Sequence, residues 1–244
     1  MHKLELYWID PSYPADHFPD LRYALTEPNG LLAFGGDLST ERLIAAYERG
    51  IFPWYSKDEP ILWWSPDPRS VIFPEQFKPS RSLKKTIRKR HFNLTIDTCF
   101  ADIIKRCSEP RSYSTDTWIT QEMMDAYIQL NEYKIAHSVE VWRQDELVGG
   151  LYGVSLGKAF FGESMFSMAT DASKVALAYL VEQLKLWGFK LIDCQVSSDH
   201  MASLGAIDIS RDEFMRLLST DCSGRTRLDD WKFDSDITEK IIGD

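Results

Sequence analysis

The 244-residue sequence predicts an α+β protein in which a small N-terminal domain precedes a larger domain built on a sheet of mixed strand direction. Two observations favour this class. From about residue 80 onward, amphipathic helical segments alternate with short runs of β-branched and aromatic residues. Three strands joined by tight turns then precede a long helix and a further strand, an order that combines antiparallel hairpins with a helical crossover. We expect the domains to comprise residues 1–70 and 71–244.

The first seventy residues are rich in turns and aromatic side chains. The segment from Ser39 to Arg49 has the pattern of a short helix that ends at Gly50. Three tryptophans and five prolines lie between Pro53 and Pro74. This composition predicts a rigid, irregular surface ahead of the larger domain.

The larger domain follows a regular pattern. Helices are expected near 80–90, 101–107, 121–132 and 171–187. Strands are expected at 92–96, 137–143, 147–154, 159–166 and 191–196, with a short strand near 206–209. Ser210 and Glu213 have the spacing of a capping box that opens the last strongly predicted helix. From about residue 221 the chain is acidic, and we expect a poorly structured tail there.

The charge of the chain is unevenly distributed. A net charge of −9 argues against a general affinity for nucleic acid. However, four basic residues at i, i+3, i+4 and i+7 form one helical face, and no acidic residue lies between positions 78 and 90. They are Arg81, Lys84, Lys85 and Arg88. A solvated helix surface is the common explanation of such a run, but the absence of acidic partners favours a contact with a phosphate backbone.

Several classes of site and location are not indicated. The four cysteines lack Cys-x-x-Cys spacing and a nearby histidine pair, so neither zinc nor a disulfide framework is expected, and the thiols are predicted to be reduced. The longest aliphatic run is far shorter than the roughly 20 residues of a membrane span, and the N terminus lacks the apolar stretch of a signal peptide. We therefore expect a cytoplasmic protein without a membrane partner.

Two predicted strands each carry a carboxylate among apolar residues. A buried, unpaired carboxylate costs several kcal/mol or more, so Glu163 and Asp193 are expected to have a partner or a task. Strand alternation places Asp193 and Gln195 on one face, and Glu163 on the same side as Phe161 and Met165. A buried salt bridge explains either acid alone equally well. The two together favour a pocket.

Four tryptophans lie in loop-like contexts next to Pro, Ser or Thr, namely Trp54, Trp63, Trp64 and Trp118. Packing between the domains and stacking on an unpaired base are both compatible with their composition. A nucleophilic mechanism is not indicated, because the sequence has no Gly-x-Ser-x-Gly elbow. His137 and His200 are expected to be structural histidines.

Several blocks of the sequence resemble the leucyl/phenylalanyl-tRNA–protein transferases. They span about residues 27 to 218 in the order of that family and include Glu27-Pro28-Asn29-Gly30-Leu31-Leu32, Gly50-Ile51-Phe52-Pro53-Trp54, Trp63-Trp64-Ser65-Pro66-Asp67-Pro68-Arg69, Thr117-Trp118-Ile119-Thr120, Gly162-Glu163-Ser164-Met165-Phe166-Ser167 and Leu191-Ile192-Asp193-Cys194-Gln195. The resemblance implies a small N-terminal domain, a C-terminal domain of GNAT-like fold and no cofactor. It also implies transfer of Leu or Phe, and less readily Met, from aminoacyl-tRNA to an N-terminal Arg or Lys of a protein. The product would enter degradation by the N-end rule.

The resemblance also implies roles for individual residues. Trp54 and Trp118 match positions that flank the terminal adenosine of the tRNA, and the basic helical face matches the region that meets the acceptor stem. Glu163, Asp193 and Gln195 match positions of acceptor binding and catalysis. One departure is Asp116, where the family usually has Gly, and it puts the path of this loop in doubt.

The chemistry implied by the resemblance starts from an activated ester and a neutral amine, so it requires no metal. We expect Asp193 to orient and polarise Gln195, Gln195 to contact the attacking amine, and Glu163 to hold the cationic acceptor terminus. Phe161, Met165 and Ile192 are expected walls of the donor pocket because they neighbour these residues in the sequence.

Two other functions stay open at this stage. A CoA-dependent N-acetyltransferase of the same superfamily is disfavoured because the segment from Ser167 to Ser173 lacks the glycines of a pyrophosphate loop. A non-catalytic RNA-binding module would explain the tryptophans and the basic helix. It would leave Glu163, Asp193 and Gln195 without a role.

Overall fold

The computed structural model describes residues 6–109 and 119–243, which form two sheets. The first sheet has the order β1-β2-β4-β3, with β1 parallel to β2 and the other pairs antiparallel. Its elements are β1 (Tyr7–Ile9), a 3-10 turn (Leu21–Tyr23), β2 (Leu31–Gly35), α1 (Thr40–Glu48), β3 (Phe52–Pro53) and β4 (Leu62–Trp64). The predicted helix of this region is therefore present as α1.

The second sheet has seven strands in the order β11-β5-β10-β9-β8-β7-β6. They are β5 (Arg69–Ile72), β6 (Asn93–Ile96), β7 (Ala136–Arg143), β8 (Glu146–Leu156), β9 (Ala159–Ser167), β10 (Leu191–Gln195) and β11 (Ile207–Ile209). The pair β9–β10 is parallel and the other pairs are antiparallel. The predicted sheet of mixed direction is confirmed.

Seven further helices surround this sheet in the described residues. They are α2 (Arg81–Arg88), α3 (Phe100–Ser108), α4 (Gln121–Glu132), α5 (Ala172–Leu186), α6 (Asp199–Ser203), α7 (Arg211–Thr220) and α8 (Ile237–Ile242). The Ser80 and Ser210 hydroxyls each accept a hydrogen bond from the third backbone N–H of the helix that follows, both at 3.2 Å. Across the described ranges, each helix falls short of the length and apolar character that a membrane crossing requires.

Helices cover both faces of the seven-stranded sheet. On one face, α1, α3 and α4 enclose an apolar core together with β8 and the first sheet. On the other face, α5 packs on the sheet through residues such as Leu180, and its outer side is covered by α2 and α8. This double covering explains why α5 is buried nearly all round, with Val175 packed in one cluster with Leu83 and Ile237.

The strand β5 crosses the position where we expected the domain boundary. The first sheet ends at Trp64, whereas Arg69 already belongs to the seven-stranded sheet. Strand β5 pairs with both β10 and β11 and so joins two distant segments of the chain. The division at residue 70 stays a prediction.

The segment expected to be a poorly structured tail has no helix or strand from residue 221 to 236, but several of its side chains pack on the larger domain. Trp231 is 3% exposed and its ring stacks on His137 with 3.7 Å between ring centroids. Ile237 and Ile241 of α8 are buried against α2 and α5. A few large apolar side chains are enough to anchor this segment, and its acidic composition conceals them because the acidic residues lie on the solvent side.

We expect Trp231→Ala to lower the free energy of unfolding by about 3–5 kcal/mol, because it removes a large buried ring that contacts both His137 and Trp187. Urea unfolding followed by circular dichroism measures this change. Lys232→Ala is the matched control, since this neighbour is exposed. If both variants unfold at the wild-type midpoint, the tail does not contribute to the fold.

Candidate active site

Two β-bulges lie side by side where β9 and β10 stop pairing. The parallel ladder of these strands ends at the pair of Asp193 and Phe161. Just beyond this pair, the β8–β9 register skips Glu163 and the β5–β10 register skips Cys194. Bulges redirect side chains and end strand pairing, so this pair of bulges opens the sheet at the two predicted carboxylate positions.

Asp193 forms a buried ion pair with Arg69 of β5. The Nε and Nη2 atoms of Arg69 donate to the two oxygens of Asp193 at 2.8 and 2.7 Å, and both side chains are 0% exposed. Arg69 also donates through Nη1 to the carbonyl of Gly50 at 3.0 Å. Two parallel bonds fix the orientation of the carboxylate.

Aromatic rings enclose the guanidinium of Arg69. Its carbon atom lies 4.9 Å from the ring centroid of Phe52 and 4.5 Å from that of Phe214. Phe52 belongs to the first sheet and Phe214 to α7, so Arg69 connects both to the seven-stranded sheet. The attraction of a cation to an aromatic face is strengthened where water is excluded.

The geometry of Gln195 corrects the expectation from strand alternation. Its backbone N–H donates to Oδ1 of Asp193 at 2.9 Å, and its φ is +58°. The bulge at Cys194 interrupts the alternation that was expected to place Asp193 and Gln195 on one face. Asp193 therefore holds the backbone of Gln195, and both residues nevertheless line one cavity.

Glu163 has only neutral hydrogen-bond donors in the described structure. The hydroxyl of Tyr47 donates to Oε1 at 2.7 Å and that of Tyr127 to Oε2 at 3.1 Å, while the two hydroxyls also bond to each other. Burial raises the pKa of Glu163 to about 7, although the hydrogen bonds from the tyrosines oppose this rise. Burial beside this carboxylate also raises the pKa of both tyrosines well above 10, so they stay protonated donors.

Two cavities meet at Glu163 and Gln195. The larger, of about 280 Å³, is mostly apolar, and its walls include Leu151, Phe160, Met165, Leu177, Leu180, Ile192 and Met201. The smaller, of about 160 Å³, is lined by Phe52, Pro53, Trp54, Val196 and the shared residues Glu163, Cys194 and Gln195. The polar groups thus lie at the junction between an apolar and an aromatic compartment.

The three residues expected as walls of the donor pocket lie in different places. Met165 and Ile192 line the larger cavity. Phe161 is 1% exposed and packs on Tyr47, with ring centroids 5.0 Å apart, while its neighbour Phe160 lines the cavity instead. Phe161 is covered because it still lies in the paired part of β9 and β10.

The tryptophans of the first sheet have different environments. Trp54 is 41% exposed and its ring lies 5.5 Å from that of Trp64, whose Nε1 donates to the Trp54 carbonyl at 2.6 Å. Trp63 is fully buried and packs in the core. Trp54 therefore offers a ring face at the smaller cavity. Trp118 and Asp116 lie outside the described residues.

The basic helix α2 is partly engaged by the C-terminal segment. Lys84 donates to the carbonyl of Gly243 at 2.7 Å and Arg88 to that of Ile242 at 3.1 Å. Within residues 6–109 and 119–243, Arg81 and Lys85 form no ion pair, and both are exposed. Two of the four residues that were expected to contact phosphate are therefore unpaired with an acidic side chain and exposed at the surface.

Sequence reasoning missed four residues of this site. Arg69, Tyr47 and Tyr127 hold the two carboxylates, and His200 lines the larger cavity. Arg69 is 124 positions from Asp193 in the sequence, so no local pattern reveals their pairing. The one available signal was the requirement that two buried carboxylates have partners.

A polar junction between two cavities suits an enzyme that brings a donor and an acceptor together, which is the arrangement of a group transferase. Models of the two domains of the leucyl/phenylalanyl-tRNA protein transferases match residues 36–67 and 71–219 of the chain. The chain therefore belongs to the leucyl/phenylalanyl-tRNA protein transferase family.

Individual relatives agree with the family models. The leucyl/phenylalanyl-tRNA–protein transferase of Cellvibrio japonicus is 60% identical over 211 residues, which cover 86% of this chain and 89% of that protein. The proteins of the same name from Stutzerimonas stutzeri and Nitrosomonas eutropha are each 55% identical. Their alignments cover 88% and 89% of this chain and 95% and 93% of the relatives.

We expect Arg69→Met to lower the free energy of unfolding by about 3–5 kcal/mol, because it leaves the Asp193 carboxylate buried without a counter-ion. Replacing both partners, as Arg69→Met with Asp193→Leu, is expected to recover much of this loss. Urea unfolding of the two variants measures the coupling.

Arg216→Met is the control, since it breaks an exposed ion pair with Glu213 and is expected to change stability far less. If Arg69→Met unfolds at the same urea concentration as this control, the buried pair does not stabilise the fold.

Proposed function

We propose that this protein transfers Leu or Phe, and less readily Met, from aminoacyl-tRNA to the N-terminal Arg or Lys of acceptor proteins. The observation that carries the proposal is the junction of the two cavities at Glu163 and Gln195. The names of the relatives support the same activity. Proteins modified in this way would be marked for N-end rule degradation in the cytoplasm, where charged tRNA and its acceptors meet.

The larger cavity suits the side chain of the donor amino acid. Its apolar walls on β9, β10 and α5 favour Leu, Phe and Met and would leave a polar or charged side chain without hydrogen-bond partners. Such a pocket distinguishes side chains that differ by a methylene only weakly. A small group of apolar donors is therefore expected rather than a single one.

The smaller cavity and the basic helix suit the nucleic-acid part of the donor. The exposed ring of Trp54 offers a stacking surface, and stacking on one base contributes about 1–3 kcal/mol. Trp118 is proposed as its partner on the other side of the terminal adenosine. The face formed by Arg81, Lys84, Lys85 and Arg88 is proposed to meet the acceptor stem.

The carboxylate and amide at the junction suit the acceptor. Glu163 and Gln195 line both cavities. We propose that Glu163 makes a charge-assisted contact with the cationic N-terminal residue and that Gln195 contacts the attacking amine. The ester donor is already activated, so the alignment of two bound substrates supplies a large part of the rate enhancement. Asp193 is proposed as a positioning residue, because Arg69 and the Gln195 backbone engage its carboxylate.

We infer that residues 71–244 form a GNAT-like domain behind an N-terminal domain of residues 1–70. The antiparallel strands β7–β9, the crossover through α5 and the parallel strand β10 support this assignment. A CoA-dependent reaction is disfavoured by the segment between β9 and α5. Its backbone N–H groups at Met168 and Ala169 are bonded to Val148, so they are not available to a pyrophosphate.

We expect the protein to transfer labelled Leu from Leu-tRNA to a peptide with N-terminal Arg and not to a peptide with N-terminal Gly. Asp-tRNA is the donor control, because its carboxylate would be buried unpaired in the larger cavity. Transfer of label to peptide is measured by scintillation counting. Equal transfer to both peptides would contradict the proposed acceptor class, and efficient transfer of Asp would contradict the donor pocket.

A variant of the cavity tests the pocket itself. Met165→Phe is expected to lower transfer of Phe relative to Leu about ten-fold, because the larger donor loses the space. Met168→Phe is the matched control, since Met168 is 56% exposed and lies three residues away. An unchanged Phe-to-Leu ratio in Met165→Phe would place the donor side chain elsewhere.

We expect Lys85→Ala to weaken tRNA binding and to reduce the slope of log affinity against log salt by about one, as for the loss of one phosphate contact. Filter binding of Leu-tRNA at several salt concentrations measures both quantities. Lys232→Ala, an exposed lysine outside α2, is expected to leave the slope unchanged. The same slope in Lys85→Ala and wild type would remove α2 from the tRNA site.

A further inference from the structure

The two carboxylates of the site differ in what surrounds them. Asp193 receives two hydrogen bonds from Arg69 and one from the backbone of Gln195, and its side chain is fully buried. Its oxygens are therefore occupied by fixed donors of the protein and are closed to a substrate. A carboxylate in this setting orients the end of β10 but does not contact the α-amino group of the acceptor.

Glu163 has the opposite environment. It lies at the junction of the two cavities and is partly exposed there. Within the part of the chain that the structure describes, no lysine or arginine is within ion-pair distance of it, and its partners are the hydroxyls of Tyr47 and Tyr127. A carboxylate held by neutral donors keeps the capacity to bind and release a proton.

The two tyrosines hold Glu163 from different parts of the fold. Tyr47 comes from α1 and Tyr127 from α4, and both side chains are 0% exposed. The ring of Tyr47 packs on Phe161 and that of Tyr127 on Tyr152, with centroids 5.0 and 5.7 Å apart. Neither hydroxyl is free to turn away, so the carboxylate is fixed at the junction rather than directed into the core.

We propose that Glu163 is the catalytic residue that takes a proton from the α-amino group of the acceptor, and that Tyr47 and Tyr127 are positioning residues that hold its carboxylate for this transfer. This inference rests on the proposed aminoacyl transfer and assigns the proton step within it. The pKa of Glu163 near 7 suits the role, because a general base works best when its pKa lies close to the operating pH.

The proton balance of the reaction follows directly. One N–H bond of the acceptor ammonium breaks, the electron pair stays on nitrogen, and Glu163 takes the proton and passes it to water. The nitrogen then forms a bond to the ester carbonyl carbon, and the C–O bond to the ribose breaks with its electron pair on the ribose oxygen. Glu163 accepts a second proton from the same nitrogen and delivers it to this oxygen. The products are an amide, a free ribose hydroxyl and one released proton.

The test is the pH dependence of the transfer rate at saturating aminoacyl-tRNA and acceptor peptide. In the wild type, the rate is expected to fall as the pH drops through about 7, because Glu163 then binds a proton and no longer acts as a base. Glu163→Gln is expected to lower the maximal rate at least about 100-fold. The fall in rate is then expected to move up to about pH 8, the ordinary pKa of an α-amino group, because only the neutral amine reacts without a base. If Glu163→Gln instead raises the KM for the peptide and leaves kcat unchanged, Glu163 only binds the cationic terminus and the proposal is wrong.

The positioning residues have their own readout. Tyr127→Phe removes a hydrogen-bond donor that favours the ionised Glu163 carboxylate, so the fall in transfer rate on acidification is expected to begin at higher pH. Tyr47→Phe, in α1, is expected to raise the pH at which the rate falls in the same way. It provides a second test if the Tyr127 variant does not fold. Tyr179→Phe is the matched control, because its hydroxyl contacts Thr238 away from the site.

The acceptor is the same in every variant, and so are the other titratable or charged groups near Glu163, which are Arg69, Tyr152, Asp193 and His200. A shift in the pH at which the rate falls therefore reports on Glu163 and not on the peptide amine. If the transfer rate falls at the same pH in both tyrosine variants as in the control, Tyr47 and Tyr127 do not position Glu163. A wild-type protein that transfers no amino acid at any pH would instead contradict the proposed function itself.

Discussion

The buried ion pair of Arg69 and Asp193 is the interaction on which the rest of this structure depends. Its two short hydrogen bonds offset the desolvation of two charges, a cost that only well-formed geometry meets. Arg69 also contacts Phe52 of the first sheet and Phe214 of α7, so the pair joins three parts of the chain. Through the Asp193 carboxylate, it fixes the backbone of Gln195 where β10 leaves the sheet.

The two carboxylates of the site have different partners. Asp193 is neutralised by a cation and closed to solvent, whereas Glu163 is held by hydroxyls and faces both cavities. Two titratable groups with such different surroundings are a recurring sign of separate roles in one reaction. An apolar compartment on one side and an aromatic compartment on the other complete a site that can align two bound substrates.

Local sequence patterns anticipated most elements of the larger domain, including the long helix α5 and strands β7 to β10. Strand β5 was missed because its residues follow a run of tryptophan and proline, and its pairing with the distant strands β10 and β11 makes it a strand. The bulges at Glu163 and Cys194 were missed for the same reason, since register is a property of neighbouring strands. The side-chain partners of the carboxylates lie 36 to 124 positions away, so the sequence indicated that they exist but not which residues they are.

A crystal structure with a non-hydrolysable phenylalanyl-adenosine amide tests the central claim most directly. The account predicts that the phenyl ring occupies the cavity lined by Met165 and Ile192, that adenine lies against Trp54, and that the carbonyl group lies beside Glu163 and Gln195. The Arg69–Asp193 pair would be unchanged in this complex. A phenyl ring bound outside that cavity, or an Asp193 carboxylate released from Arg69 to contact the ligand, would contradict it.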